Sequence, residues 1–461
     1  MKIPPSFFTY FSAISVNFLS YGGGLGYGWS SPALPKLSGE VDPDQNQLSR
    51  PATLAEQSWI ASLLSLGAMC SPFLCEYVSG KLGRKISLLL FSLPMIGGYV
   101  ILIFADEVVH FYIGRFLIGI TEGSIFSTIP VYSAEISENH NRGTIGAIMF
   151  LFVSLGHFTS SVVGPNVSLQ LFSIISLVPC IIFFVSFGLF SPETPYYYVI
   201  RNKFPEAEKS LKQLRKKEDV SEEMSEIIKC VTEMKSNKNI SVLKEIFTDK
   251  SSLKAFVLSL LLMLFQQFTG LIYIIDYNQK IFDSAETPLS GDKGVVIVMA
   301  VQVAAILFST NVIDKINRKT LLLLSLTSIF FLHTTLGSFF YLKQENFNVQ
   351  YASWIPIACL MLFITAYQLG ICPISYIFPA EILKPNVKSF GIMLVCCIGL
   401  LAEFLIATFL PVLEEHVGFY VPFWIFAVIS LIAIVFVYFF IPETRSKSFL
   451  EIQESLEHKI K

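Results

Sequence analysis

Apolar runs of about twenty residues recur along almost the whole chain, and this recurrence limits the possible folds more than any other feature. A run of that length is about what a helix needs to cross roughly 30 Å of hydrocarbon. Twelve such spans are predicted, at residues 7–28, 57–79, 86–105, 109–132, 143–163, 169–190, 253–276, 294–313, 320–342, 352–377, 387–411 and 420–441. A soluble domain buries one or two helices of this kind and does not repeat them so often. Of the 461 residues, 53% are hydrophobic and only 15% charged, too little polar surface to coat a water-soluble particle of this size. The predicted fold class is therefore an all-α integral membrane protein lodged in a lipid bilayer. Some spans, 7–28 among them, are rich in Gly, Ser or Thr, which suits helices that face other helices or a cavity.

Lys2 and the apolar stretch behind it have the outline of a signal peptide, but the run is long and the charge bias fits a retained span. Lys and Arg set the orientation. With the N-terminus in the cytosol, the inner side holds Lys81, Arg84, Lys85, Arg142, Lys315, Arg318, Lys319, Lys384, Lys388, the tail and the basic loop 191–252. The outer side holds only Lys36, Arg50, Lys280, Lys293 and Lys343, so both termini are predicted cytosolic. The net charge is −2 and the basic residues are spread over the inner loops, so no nucleic-acid partner is expected. The eight cysteines show neither metal-ligand spacing nor a disulfide framework. No metal or other cofactor is expected. Six scattered histidines offer no nucleophile–base pair, so an enzyme is not expected either.

The charged stretch 191–252, with runs such as "EAEKSLKQLRKKED", is the one large break between spans and reads as short amphipathic helices. It separates six spans (1–190) from six more (253–441), with a tail at 442–461. The halves carry matching marks in the same order. "SGKLGRK" (79–85) pairs with "IDKINRK" (313–319), "SAEIS" (133–137) with "PAEIL" (379–383), and "SPETP" (191–195) with "IPETR" (441–445), at offsets of about 234, 246 and 250 residues. Three echoes in register argue for an internal duplication. Duplicated six-helix halves are the architecture of a large transporter class whose substrate site lies between the halves at mid-membrane. The paired Arg and Glu positions read as ion pairs that hold the inner side shut and break on opening.

"GRFLIGITEG" (114–123), "PVYSAEISENHNRGTIG" (130–146), "SPETP", "QQFTG" (266–270), "DKINRK" (314–319) and "PETRSKSF" (442–449) together resemble the signature segments of the sugar porters of the major facilitator superfamily. "GWSSPALPKL" (28–37) and "SWIASLLSLGA" (58–68) look most like the insect facilitated trehalose transporter branch. The resemblance implies alternating access without ATP, facilitated passage of trehalose or a hexose across the plasma membrane, and action as a monomer. It also implies cytosolic gate roles for Arg115, Glu135, Arg142, Glu193, Asp314, Arg318, Glu381, Lys388 and Glu443. Gly80 and Ser389 depart from the family's usual Asp and Gly, which leaves that network less complete.

A sugar presents hydroxyls that both donate and accept, and amides match them without the burial cost of a charge. Gln266, Gln267, Gln302 and Gln368 fall near mid-span and are the predicted sugar contacts, with Tyr376, Tyr277 and Phe150 as aromatic neighbours. Pro373 is expected to weaken span 10 and let it bend. Several contacts usual in the family are replaced. Ile272 stands for Asn, Phe150 for the Gln of span 5, Tyr376 for Trp, Ser375 for Pro, and Gly399–Leu400 for Asn-Trp. The stretch therefore specifies a sugar more firmly than it specifies which one.

Proton-coupled porters place an acid in span 1, and residues 6–39 contain none, so uniport is the simpler reading. Three acids inside spans still ask for a role: Glu122, Glu403 and Asp276, the last expected to lie solvated near the outer headgroups beside the position of an outer gate. A sugar-sensing receptor that moves nothing and a proton-coupled symporter remain open alternatives. The sequons at Asn166 and Asn239 are expected to stay unmodified, one too close to the bilayer and the other cytosolic.

Overall fold

A computed structural model describes residues 7–39, 47–138, 141–236, 242–285, 291–312, 315–384 and 387–445. The described chain runs through nineteen α-helices. The first seven are α1 (Phe7–Gly28), α2 (Ser30–Leu37), α3 (Leu54–Leu82), α4 (Arg84–Ile103), α5 (Val108–Ile136), α6 (Arg142–Val163) and α7 (Leu169–Phe190). Four short helices follow: α8 (Pro195–Ile200), α9 (Phe204–Arg215), α10 (Ser221–Ser236) and α11 (Val242–Thr248). The remainder are α12 (Lys250–Gln267), α13 (Leu271–Ala285), α14 (Gly291–Val312), α15 (Arg318–Gln344), α16 (Ile355–Leu369), α17 (Ile371–Ile382), α18 (Lys388–Val417) and α19 (Val421–Phe440).

Ten helical passes are long and apolar enough to cross a membrane, counting α12–α13 and α16–α17 as one pass each. The other two predicted spans form α1 and α5. Both are long helices, but they carry the glycines of "GGGLG" and the charges of Arg115, Glu122 and Glu135. Their polar groups are tolerable because other helices surround them: α1 packs on α6 and α7, and α5 on α3 and α4. The halves meet where α3 lies on α18, α6 on α14, and α2 on α13.

Two passes of the second half are broken, and in both a glycine makes the break. Gly270 has φ +86°, and a Cβ there would lie 2.4 Å from the Phe426 ring. Gly370 has φ −130° and ψ −84°, and its Cβ would meet Ser325 Cβ at 2.4 Å and the Leu321 carbonyl at 2.7 Å. The bend of span 10 thus lies at Gly370 rather than at Pro373, which falls in the first turn of α17. There a missing N–H leaves no helical bond unmade.

The short helices bury a small core of their own, with Val199, Ala207, Leu211, Val220, Ile227 and Val231. Arg215, only 3% exposed, ties them to the bundle. Its guanidinium donates to the Ile136 carbonyl at the end of α5 (2.8 Å), to Thr9 of α1 (3.2 Å) and to Glu223 (2.6 Å).

Candidate functional site

The arrangement at the basic face follows from helix ends. In the first half, the Glu193 carboxylate accepts the backbone N–H groups of Arg84 (2.9 Å) and Lys85 (3.0 Å), capping α4 where its free donors and dipole favour an anion. Gly83 leaves the room, since a Cβ there would sit 2.2 Å from Glu193 Oε2. Arg84 turns its guanidinium to Glu135 at the end of α5 (2.9 Å), and the Thr194 hydroxyl donates to the same carboxylate (2.6 Å). The second half repeats these contacts, with Asn317 at the N-cap in the place of Gly83. Glu443 accepts from the N–H groups of Arg318 (3.0 Å) and Lys319 (3.1 Å), Arg318 approaches Glu381 at 3.7 Å, and Thr444 donates to Glu381. Each of these contacts joins elements of one half.

Burial holds the Glu193 carboxyl above its ordinary pKa despite the N–H groups it accepts. Lys388, partly buried at the start of α18, lies near Glu381. Asp314 and the Arg142 side chain lie outside the described residues. Arg115 is not brought to this cluster. It lies twenty positions before Glu135 on α5, about 30 Å away along the axis. There, 1% exposed, it donates to the carbonyls of Gly26, Ile60 (2.9 Å) and Ala61 (3.3 Å) and to Ser30 Oγ (2.8 Å). It joins α1, α2 and α3 at the side away from the basic face.

Between the halves lies a cavity of about 120 Å³. Gln266, Gln267, Gln302, Gln368, Tyr376 and Phe150 all line it. Both broken passes deliver amides to it from the last turn before their glycine: Gln266 and Gln267 before Gly270, and Gln368 before Gly370. The hydrogen bonds orient these amides. Gln266 Nε2 donates to Tyr367 OH, and its Oε1 has no partner among the described residues. Gln267 Nε2 points to Glu403 Oε2 at 3.4 Å. Gln302 Oε1 faces His157 Nδ1 at 3.3 Å. Phe126 stacks on Tyr376 with ring centroids 6.4 Å apart, and Phe150 meets the same ring at 6.2 Å. Amide oxygens beside aromatic faces suit a ligand with many hydroxyls and an apolar ring face.

Tyr277 is placed elsewhere. With Asp276, Ser31 and Lys280 it lines a second recess on the side away from the basic face, next to a kink in α13 at its own φ of −113°. Asp276 is not a solvated end: the pass runs nine residues further, to Ala285, and the carboxylate is 2% exposed. Glu122 is wholly buried against the bare face of Gly23 and has no hydrogen-bond partner among the described residues.

His157, Ser154, Tyr27 and Tyr367 line the cavity and were not singled out from the sequence. Helical spacing holds a signal for two of them. Phe150, Val153, Ser154 and His157 follow i, i+3, i+4, i+7, so the first residue of that face predicts the rest. Glu403 shares a face with Cys396 and Leu400 in the same way.

The family described as "Sugar (and other) transporter" matches residues 25–456. The facilitated trehalose transporter Tret1 of Polypedilum vanderplanki is 30% identical over 457 residues, covering 98% of this chain and 88% of the relative. Tret1 of Culex quinquefasciatus is 28% identical over 446 residues, covering 96% and 85%. In fold the chain is similar to an inward-open structure of the xylose transporter XylE from E. coli, with TM-score 0.75 and 16% identity over 97% of this chain and 99% of that one.

Proposed function

The chain belongs to the "Sugar (and other) transporter" family, and from that premise we propose that it carries trehalose or a hexose across the plasma membrane by facilitated diffusion, as a monomer with the basic face in the cytosol. The cavity between the halves supports this reading most directly. Amides from two broken passes and from α14 converge there with the rings of Tyr376, Phe126 and Phe150, and both halves contribute walls. Opening one side and then the other would expose that single site alternately. The Arg84–Glu135–Glu193 and Arg318–Glu381–Glu443 clusters hold the helices of each half as a unit, so that the halves rock as bodies. No energy source enters the scheme, and the sugar's own gradient drives net flux.

Counterflow of labelled trehalose, glucose and fructose in proteoliposomes tests the proposal. One of these sugars should show saturable exchange. Gln267→Ala should raise its half-saturation concentration about tenfold, the worth of one lost hydrogen bond in a dry site. Unchanged kinetics in that variant would remove Gln267 from the site. Sugar binding without any exchange would favour a receptor.

A further inference from the structure

We infer that the central cavity is selective for a sugar bearing a protonated primary amine, with Glu403 as the counter-charge; the inference rests on the sugar-site reading above. Among the described residues that line the cavity, Glu403 is the one carboxylate, and neither Lys nor Arg is present. It is 6% exposed and is held by hydrogen bonds rather than by an ion pair: Ser65 Oγ donates at 2.7 Å, Gln267 Nε2 at 3.4 Å, and the Tyr27 hydroxyl approaches from α1. The nearby guanidinium of Arg115 faces the carbonyls of α1 and α3 and is not part of the wall. A buried charge without an opposite charge is unfavourable, and a cationic ligand supplies one.

Gln266 adds a second acceptor to the wall, because its Oε1 has no partner among the described residues. An ammonium group offers three donors and no acceptor, the complement of such a surface. Aromatic faces add to the attraction for a cation, and the stacked pair Phe126–Tyr376 lines the same cavity.

The test compares D-glucosamine with D-glucose, which differ only in the group on C2, at a pH where the amine is protonated. Each competes for uptake of labelled glucose into proteoliposomes. Glucosamine should inhibit at a concentration about tenfold lower, the difference between a charge-assisted and a neutral hydrogen bond. Glu403→Gln should shrink that ratio to near one, and Glu403→Asp should keep most of it. Equal inhibition in the natural protein overturns the inference, and so does a preference that survives Glu403→Gln. Should Glu403→Gln not fold, the natural protein and Glu403→Asp still decide. If no sugar enters at all, the transport reading fails separately. Heat stabilisation of the purified protein by glucosamine against glucose then reads the amine preference alone, and equal stabilisation by the two overturns it.

Discussion

Arg115 and Asp249 show how single charges act in this chain. Arg115 donates to three backbone carbonyls and one hydroxyl around the junction of α1 and α2. A lysine has one nitrogen and cannot span that fork. Arg115→Lys should therefore destabilise the protein by roughly 3 kcal/mol, the penalty for buried acceptors left without donors. Thermal unfolding in detergent reads it, and an unchanged midpoint would show that the fork is not needed. Asp249 caps α12 through Ser252 and pairs with Lys384 at 2.6 Å, chiefly through that lysine's hydrogen bond, which holds its pKa down at about 2. The unfolded value is about 3.9. The stabilisation is thus present above about pH 4 and is lost as pH falls through about 2. Because both partners are about a third exposed, it amounts to less than about 1 kcal/mol. Asp249→Asn should lower the unfolding midpoint at pH 7 slightly and close the gap to the natural protein by pH 2. A gap that persists there would contradict the assignment.

Among elements, the two broken passes matter most. Gly270 lies in the left-handed region with a ring against it, and Gly370 lies against a carbonyl, so neither site accepts a Cβ without moving its neighbour. Gly270→Ala should cost about 3 kcal/mol or more through strain and overpacking, and should disturb the glutamines one turn before it. Gly97 in α4 has nothing within 4 Å of a built Cβ, so Gly97→Ala should be neutral or stabilise by up to about 1 kcal/mol. Unfolding midpoints of the two variants, measured side by side, check the contrast, and equal effects would contradict it. The amides of these passes were legible because a Gln in a hydrocarbon span is conspicuous. The site of the bend in span 10 was not, because proline is the stronger sequence signal. What decides is the close approach of α15 at Ser325 and Leu321, and only the packed structure reveals it.

At the scale of the whole molecule, the spans were readable because hydrocarbon length acts directly on sequence. The paired marks form the same contact twice, Thr194 with Glu135 and Thr444 with Glu381, but each contact stays within one half instead of bridging the two. Two things were hidden. Arg115 carries a signature sequence like the others, yet its depth along α5 places it away from the basic face. His157 and Tyr27 are ordinary residues until α6 and α1 turn them onto the cavity. The proposed function is that of a passive carrier with its sugar in the cavity walled by Gln267, Tyr376 and Phe150. The most direct measurement is the time course of labelled trehalose and glucose entering proteoliposomes with no ion gradient. The account predicts saturable entry of one of them that stops when inside and outside concentrations match and is untouched by a protonophore. Accumulation above the external level that a protonophore collapses, or no saturable entry of either, would contradict it.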